Sequence, residues 1–196
     1  VSPTPTGHRP STSEMLAAVG GGSVAEVVIL PNERDAIPVA EAAAAELRAD
    51  GRRVAVLPTV TQVQGLAAVA VHEPGRSFDA DVVAMTTAAG HARHGAVTVA
   101  AREAVTMAGI CRPGDVLGVV EGDFAVIGSD LLDVAIEVVG RMLSAGGELV
   151  TVVTGAEADA SLAEGVQTWV RKTHLEADTV VYEGGQPRYP LLLGVE

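Results

Sequence analysis

Apolar and polar positions alternate along this chain in two different periods. Ser11-Thr12-Ser13-Glu14 has the form of a capping box ahead of Met15-Leu16-Ala17-Ala18-Val19, so a short helix is predicted there, ended by Gly20-Gly21-Gly22. Val27-Val28-Ile29-Leu30 is a continuous β-rich run closed by Pro31 and Asn32, the pattern of a buried strand within Val24 to Leu30. From Asp35 to Ala49 the apolar residues Ile37, Ala40, Ala44 and Leu47 recur at helical spacing; Gly51 then precedes a second strand, Val54 to Leu57. Strand, helix and strand make a βαβ unit. Gln62 to Val71 and Asp79 to Ala92 read as further helices.

Beyond Gly95 the pattern changes. Val97 to Arg102 alternates like a strand, and Val116 to Glu121 followed by Phe124 to Ile127 reads as a central hairpin turning at Gly122-Asp123. A helix from Asp130 to Leu143 and a buried strand from Leu149 to Val153 then repeat the first half's plan, the interval from Asp130 to Leu149 matching that from Asp35 to Val54. A last helix over Glu157 to Lys172, with Leu162, Val166, Trp169 and Val170 inward, leads to a strand at Thr179 to Tyr182 and a tail from Gly184 to Leu193. The reading is an α/β fold of two related subdomains, 11–95 and 96–196, with mainly parallel sheets, preceded by a Pro-punctuated linker at 1–10.

Composition narrows the possibilities. The chain has 196 residues, 48% hydrophobic and 3% aromatic, which suits helices packed closely on sheets. A net charge of -12 argues against a nucleic-acid or anionic-membrane surface. No apolar stretch reaches the roughly 20 residues of a membrane span, and no signal-peptide pattern opens the chain, so a soluble, cytoplasmic protein is expected. Lys172 is the only lysine, and Cys111 the only cysteine, which excludes an intramolecular disulfide. There is no G-x-x-x-x-G-K-[ST], G-x-S-x-G, H-E-x-x-H or EF-hand loop, so no catalytic residues are assigned and a self-contained nucleotide-using or hydrolytic enzyme is not expected.

Loops after parallel strands gather at one sheet edge, where ligands bind in open α/β folds. Here those loops carry Asn32, Thr59, Thr61, Gln64 and Gly65 beside helix N-termini. They either cap helices and turns or meet a carboxylate or phosphate. His91 and His94 stand three apart near a helix end, a spacing that permits a shared face, but without a carboxylate or Cys in the pattern no metal site is assigned. Cys111 reads as a small buried hydrophobe unless a base approaches it. Asp115, Glu121, Asp123, Asp130 and Glu183 would together form a negative face able to steer a basic protein partner.

Taken in order, Val28-Ile29-Leu30-Pro31-Asn32, Val56-Leu57-Pro58-Thr59, Gln64-Gly65-Leu66-Ala67-Ala68, Gly95-Ala96-Val97-Thr98 and Gly184-Gly185-Gln186-Pro187-Arg188-Tyr189-Pro190 resemble the C-terminal region of the DAK2-containing, dihydroxyacetone-kinase-like proteins. These include the kinase component of bacterial fatty acid kinase. The resemblance, which runs from Pro10 onward, implies a DegV-like fold of two α/β subdomains and adds Gln186 to the candidate ligand-binding residues. It implies that ATP and magnesium belong to an N-terminal kinase domain of the same chain, and that this segment needs no cofactor. It further implies a DegV-type fatty-acid-binding protein as partner, docked while its fatty acid becomes an acyl phosphate. The alternative is a small-ligand module for a fatty acid, acyl phosphate or phosphosugar.

Overall fold

The computed structural model describes residues 10–20 and 24–196. The expected linker, apart from Pro10, and Gly21 and Gly22 lie outside them. The chain divides into two compact units, 1–91 and 92–196.

In the first unit, helix α1 (Thr12–Val19) is closed by the full capping box: Ser11 Oγ accepts from Glu14 N, and the Glu14 carboxylate accepts from Ser11 N. Strands β1 (Glu26–Ile29) and β2 (Arg53–Val56) pair in parallel, joined by a 3-10 turn and α2 (Ile37–Ala49). Period-two alternation divides their side chains between two faces. Val27, Ile29, Val54 and Val56 pack with Ala44 and Leu47 of α2 and Leu16 and Val19 of α1. Val28, Leu30, Ala55 and Leu57 pack with residues of α3 (Gln62–Ala70) and α4 (Phe78–His91), among them Ala68, Met85 and Ala89. A sheet covered on both faces explains why its strands are continuous apolar runs.

The second unit is built on six strands in the order β7-β6-β3-β10-β8-β9. These are β3 (Arg93–Val99), β6 (Val116–Val120), β7 (Asp123–Gly128), β8 (Leu149–Thr154), β9 (Asp178–Glu183) and β10 (Leu191–Val195); a short hairpin, β4 (Ala104–Thr106) and β5 (Gly109–Cys111), lies between β3 and β6. The α/β class is as expected, but the expectation of mainly parallel sheets is corrected: in this sheet only β8 and β9 are parallel neighbours. The cause is β10. The expected tail is a fully buried strand inserted antiparallel between β3 and β8.

Helix α5 (Leu131–Leu143) therefore does not join adjacent strands. It leaves β7, packs across β6, β3 and β10, and delivers the chain to β8. The crossing needs room, and three glycines supply it. A Cβ on Gly95, Gly118 or Gly128 would lie 2.6 Å from a methyl of Val138 or Val134. With α6 (Ala160–Thr173), α5 closes the main core over Val97, Val150, Val152, Leu191 and Leu193. The adjacent parallel βαβ unit of this half is β8-α6-β9, so the matched intervals in the sequence do not mark equivalent units.

Candidate functional site

Because β1 and β2 are parallel neighbours, the loops that follow them meet. Asn32, held at φ 56°, donates its backbone N–H to Thr59 Oγ1 at 3.0 Å, and Thr59 is only 2% exposed. Val60 N–H donates to Gln64 Oε1 at 2.9 Å, and Thr61 caps α3 by accepting from Val63 N–H at 3.1 Å. Gly65 matters for what it lacks. A Cβ there would fall 2.2 Å from Asn32 Oδ1, so the bare Cα lets the Asn32 amide lie against the first turn of α3.

Five of the six candidate ligand-binding residues are thus brought together, with Thr59, Thr61 and Gln64 accepting from the backbone N–H groups of Asn32, Val63 and Val60. Asn32 Oδ1 is buried and accepts no hydrogen bond, and the same holds for Gln186 Oε1. Gln186 belongs to the second unit. Its side-chain N–H groups donate to Val153 O (3.2 Å) and Tyr189 O (3.1 Å), pinning the turn that leads into β10. Two open concavities among the described residues, about 550 Å³ beside Leu16, Leu47 and Arg52 and about 430 Å³ beside Leu132, Gly165 and Trp169, are lined by none of these residues.

The acidic residues do not gather on one face. Asp115 and Asp130 flank the β6-β7 pair at the end where Val116 faces Gly128, whereas Glu121 and Asp123 lie at its turn, five residues along the strand or about 15 Å away. Glu183 ends β9, at the opposite edge of the sheet. Three of the five carboxylates have local work: Asp115 accepts from Arg112 N–H, Asp130 caps α5, and Glu121 accepts from His94 N–H and lies 3.3 Å from its imidazole. His91 ends α4 while His94 sits on β3, so the two share no helix face. Cys111 is buried against Ala100 and Leu117.

Two features escaped the sequence reading. One is an acid-base latch between α3 and α4. Asp81, 6% exposed, accepts from His72 Nδ1 at 2.6 Å, from Glu73 N–H at 3.2 Å and from Arg76 at 3.2 Å. The His72 hydrogen bond, with the Glu73 N–H and the charges of His72 and Arg76 adding to it, holds the Asp81 carboxyl below the usual carboxylate range despite burial. The other is the β4-β5 hairpin, where Val105 is 84% and Ile110 64% exposed.

Comparison with known proteins places this geometry. All of residues 1–196 match one family model, described as the C-terminal region of FakA-like fatty acid kinase. The chain belongs to that family. Uncharacterized proteins of Staphylococcus aureus strains USA300 and N315 are 24% identical to it over 188 residues, covering 96% of this chain and 34% of their own length. The family member described here thus spans about a third of the length of the curated relatives it matches. Its fold is shared with a DegV family protein from Eubacterium eligens loaded with heptadecanoic acid (TM-score 0.67, 15% identity, 95% of this chain and 78% of that one). It is shared equally with the Streptococcus pneumoniae Fak B3 protein loaded with linoleic acid (0.66, 14%, 95% and 76%). Dihydroxyacetone kinase of C. freundii, in complex with AMP-PNP and magnesium, gives 0.66 at 14% identity over 95% of this chain and 42% of the kinase. The DegV-like fold implied by the sequence is therefore established.

Proposed function

We propose that this chain is a non-catalytic docking domain of a fatty acid kinase, which receives a DegV-type fatty-acid-binding protein while another domain, carrying ATP and magnesium, phosphorylates the bound acyl group. One observation carries the reading: a family model named for the C-terminal part of FakA-like kinases takes in every residue here, while about two thirds of each curated relative is other sequence. The chemistry then belongs elsewhere and recognition belongs here. The candidate loops agree with this division, since Thr59, Thr61 and Gln64 spend their hydrogen bonds on backbone within unit 1. The direct test is isothermal titration of this chain with the linoleate-loaded DegV-type protein of the same organism. Saturable binding in the micromolar range, with no ADP released from ATP and magnesium by this chain alone, is expected. No binding heat at a hundredfold higher concentration, or ATP turnover by the chain, would refute the assignment.

A second reading is favoured by Asn32. A buried acceptor without a donor suits a ligand carrying a hydroxyl or protonated carboxyl group beside the α3 N-terminus. Thermal shifts with oleate, an acyl phosphate and a phosphosugar separate the two. A shift in the wild type that disappears in Asn32→Gly supports the ligand module, and none at saturating concentrations removes it.

A further inference from the structure

Strand β6 turns into β7 through Glu121 and Gly122, the two residues between Val120 and its partner Asp123. Both have positive φ, 52° and 93°, the signature of a two-residue turn that asparagine and glycine normally fill. Glutamate is an uncommon occupant of that backbone region. Its side chain supplies the reason. Opposed residues of an antiparallel ladder can exchange two backbone bonds, and with Gly95 paired to Val120, His94 stands opposite Glu121. Glu121 N–H donates to His94 O at 2.9 Å, but His94 N–H goes to the carboxylate, Glu121 Oε1, at 2.7 Å. The other carboxylate oxygen, Oε2, lies 3.3 Å from the buried Nδ1 of the His94 imidazole, whose side chain is 16% exposed. An amide would meet the backbone N–H equally well; only a carboxylate can also pair with an imidazolium.

We propose that His94 and Glu121 form a pH-sensitive clasp, in which proton uptake by the imidazole tightens the β6-β7 turn onto the start of β3. The clasp is independent of partner docking. The charges around it leave Glu121 as the counterion. Arg93 and Gly95 face α5, where Arg93 donates to Met142 O and Gly146 O, so strand alternation puts His94 on the other side of the sheet. On β10, Gly194 pairs with His94 and brings no charge; Glu196 follows two residues later, its carboxyl pushed up by burial. Asp123 ends the turn and His91 ends α4, both exposed.

The direction of the switch follows from two opposed effects. Burial of the ring disfavours its charge, the carboxylate favours it, and at 3.3 Å the carboxylate prevails. A histidine held above its unfolded value of about 6.5 stabilises the fold fully below about pH 6.5, and that stability is lost as pH rises through the folded value.

NMR of the imidazole rings between about pH 5 and pH 9 tests this, with His94 assigned from the resonance absent in His94→Gln. Should that variant unfold, triple-resonance assignment of the wild type replaces it. In the wild type His94 should titrate about 0.5–1 unit above 6.5, and Glu121→Gln, which retains an acceptor for His94 N–H, should bring it to about 6.5 or below. Asp123→Asn should move it by less than about 0.3 units. Amide exchange at His94, corrected for its intrinsic pH dependence, should be about threefold or more better protected at pH 5.5 than at pH 8 in the wild type and alike at both in Glu121→Gln. A wild-type value at or below about 6.5, a raised value that survives Glu121→Gln or is set by Asp123, or equal protection at the two pH values would overturn the clasp.

Discussion

Asn32 and Gly65 constrain each other in a way that single substitutions expose. Gly65→Ala drives a Cβ into the Asn32 amide, and overpacking of this kind costs about 1–3 kcal/mol. Asn32 sits at φ 56°, where glycine is at ease, so Asn32→Gly removes the clashing atoms without backbone strain. A double-mutant cycle followed by urea unfolding should therefore find the Gly65→Ala penalty largely gone in the Asn32→Gly background; strict additivity would show that the two do not touch. Asp81 gives a pH signature. Its folded pKa lies below its unfolded value near 4, so its stabilisation is present above about pH 4 and lost as pH falls through the lower folded value. Asp81→Asn should melt earlier than wild type at pH 7, with the gap narrowing toward pH 3. A gap constant across that range would remove Asp81 from the latch. Local pattern carried the loop residues of the site, because strand ends and helix caps announce themselves. His72 and Asp81 did not, since their contact spans two helices.

Among the elements, those defined by neighbours in sequence were legible. The capping box at Ser11, the apolar run at Val27, the cap at Asp130 and the glycine turn at Gly122 all stand where the periodicity placed them. What could not be read locally was β10, whose leucines lack the β-branched signature and whose partner Val97 lies far back along the chain. Without β10, the sheet outside the central hairpin reads as parallel, and α5 reads as a link between adjacent strands. The β4-β5 hairpin was missed for the opposite reason: its apolar side faces outward, so alternation gives no core to infer. Two substitutions probe the sheet. Leu193→Ala in the central strand should cost about 2–5 kcal/mol in chemical denaturation. Gly118→Ala would gain the roughly 0.5–1 kcal/mol of β-strand entropy that glycine forfeits. Its Cβ would nevertheless meet Val138 at 2.6 Å and Val126 and Val134 at 3.0 Å, so net destabilisation of about 1–2 kcal/mol is expected. A neutral or stabilised Gly118→Ala would show that α5 does not bear on the sheet there.

For the whole molecule, the surplus of acidic residues is spread rather than focused. Glu121 and Asp123 lie at one end of the sheet, and Asp115 and Asp130 at the other, beside the hairpin. Affinity for the carrier should consequently change only a few-fold between low and high salt, and Glu121→Gln/Asp123→Asn should leave it intact. A steep salt dependence abolished by that double substitution would return recognition to an acidic face. Hydrogen exchange of this chain, alone and with the linoleate-loaded DegV-type protein, tests the central claim most directly. Slowed exchange in this chain when the carrier is added, with the loops at 30–34 and 57–65 unchanged, is the result predicted; protection confined to those loops, or none anywhere, would contradict it.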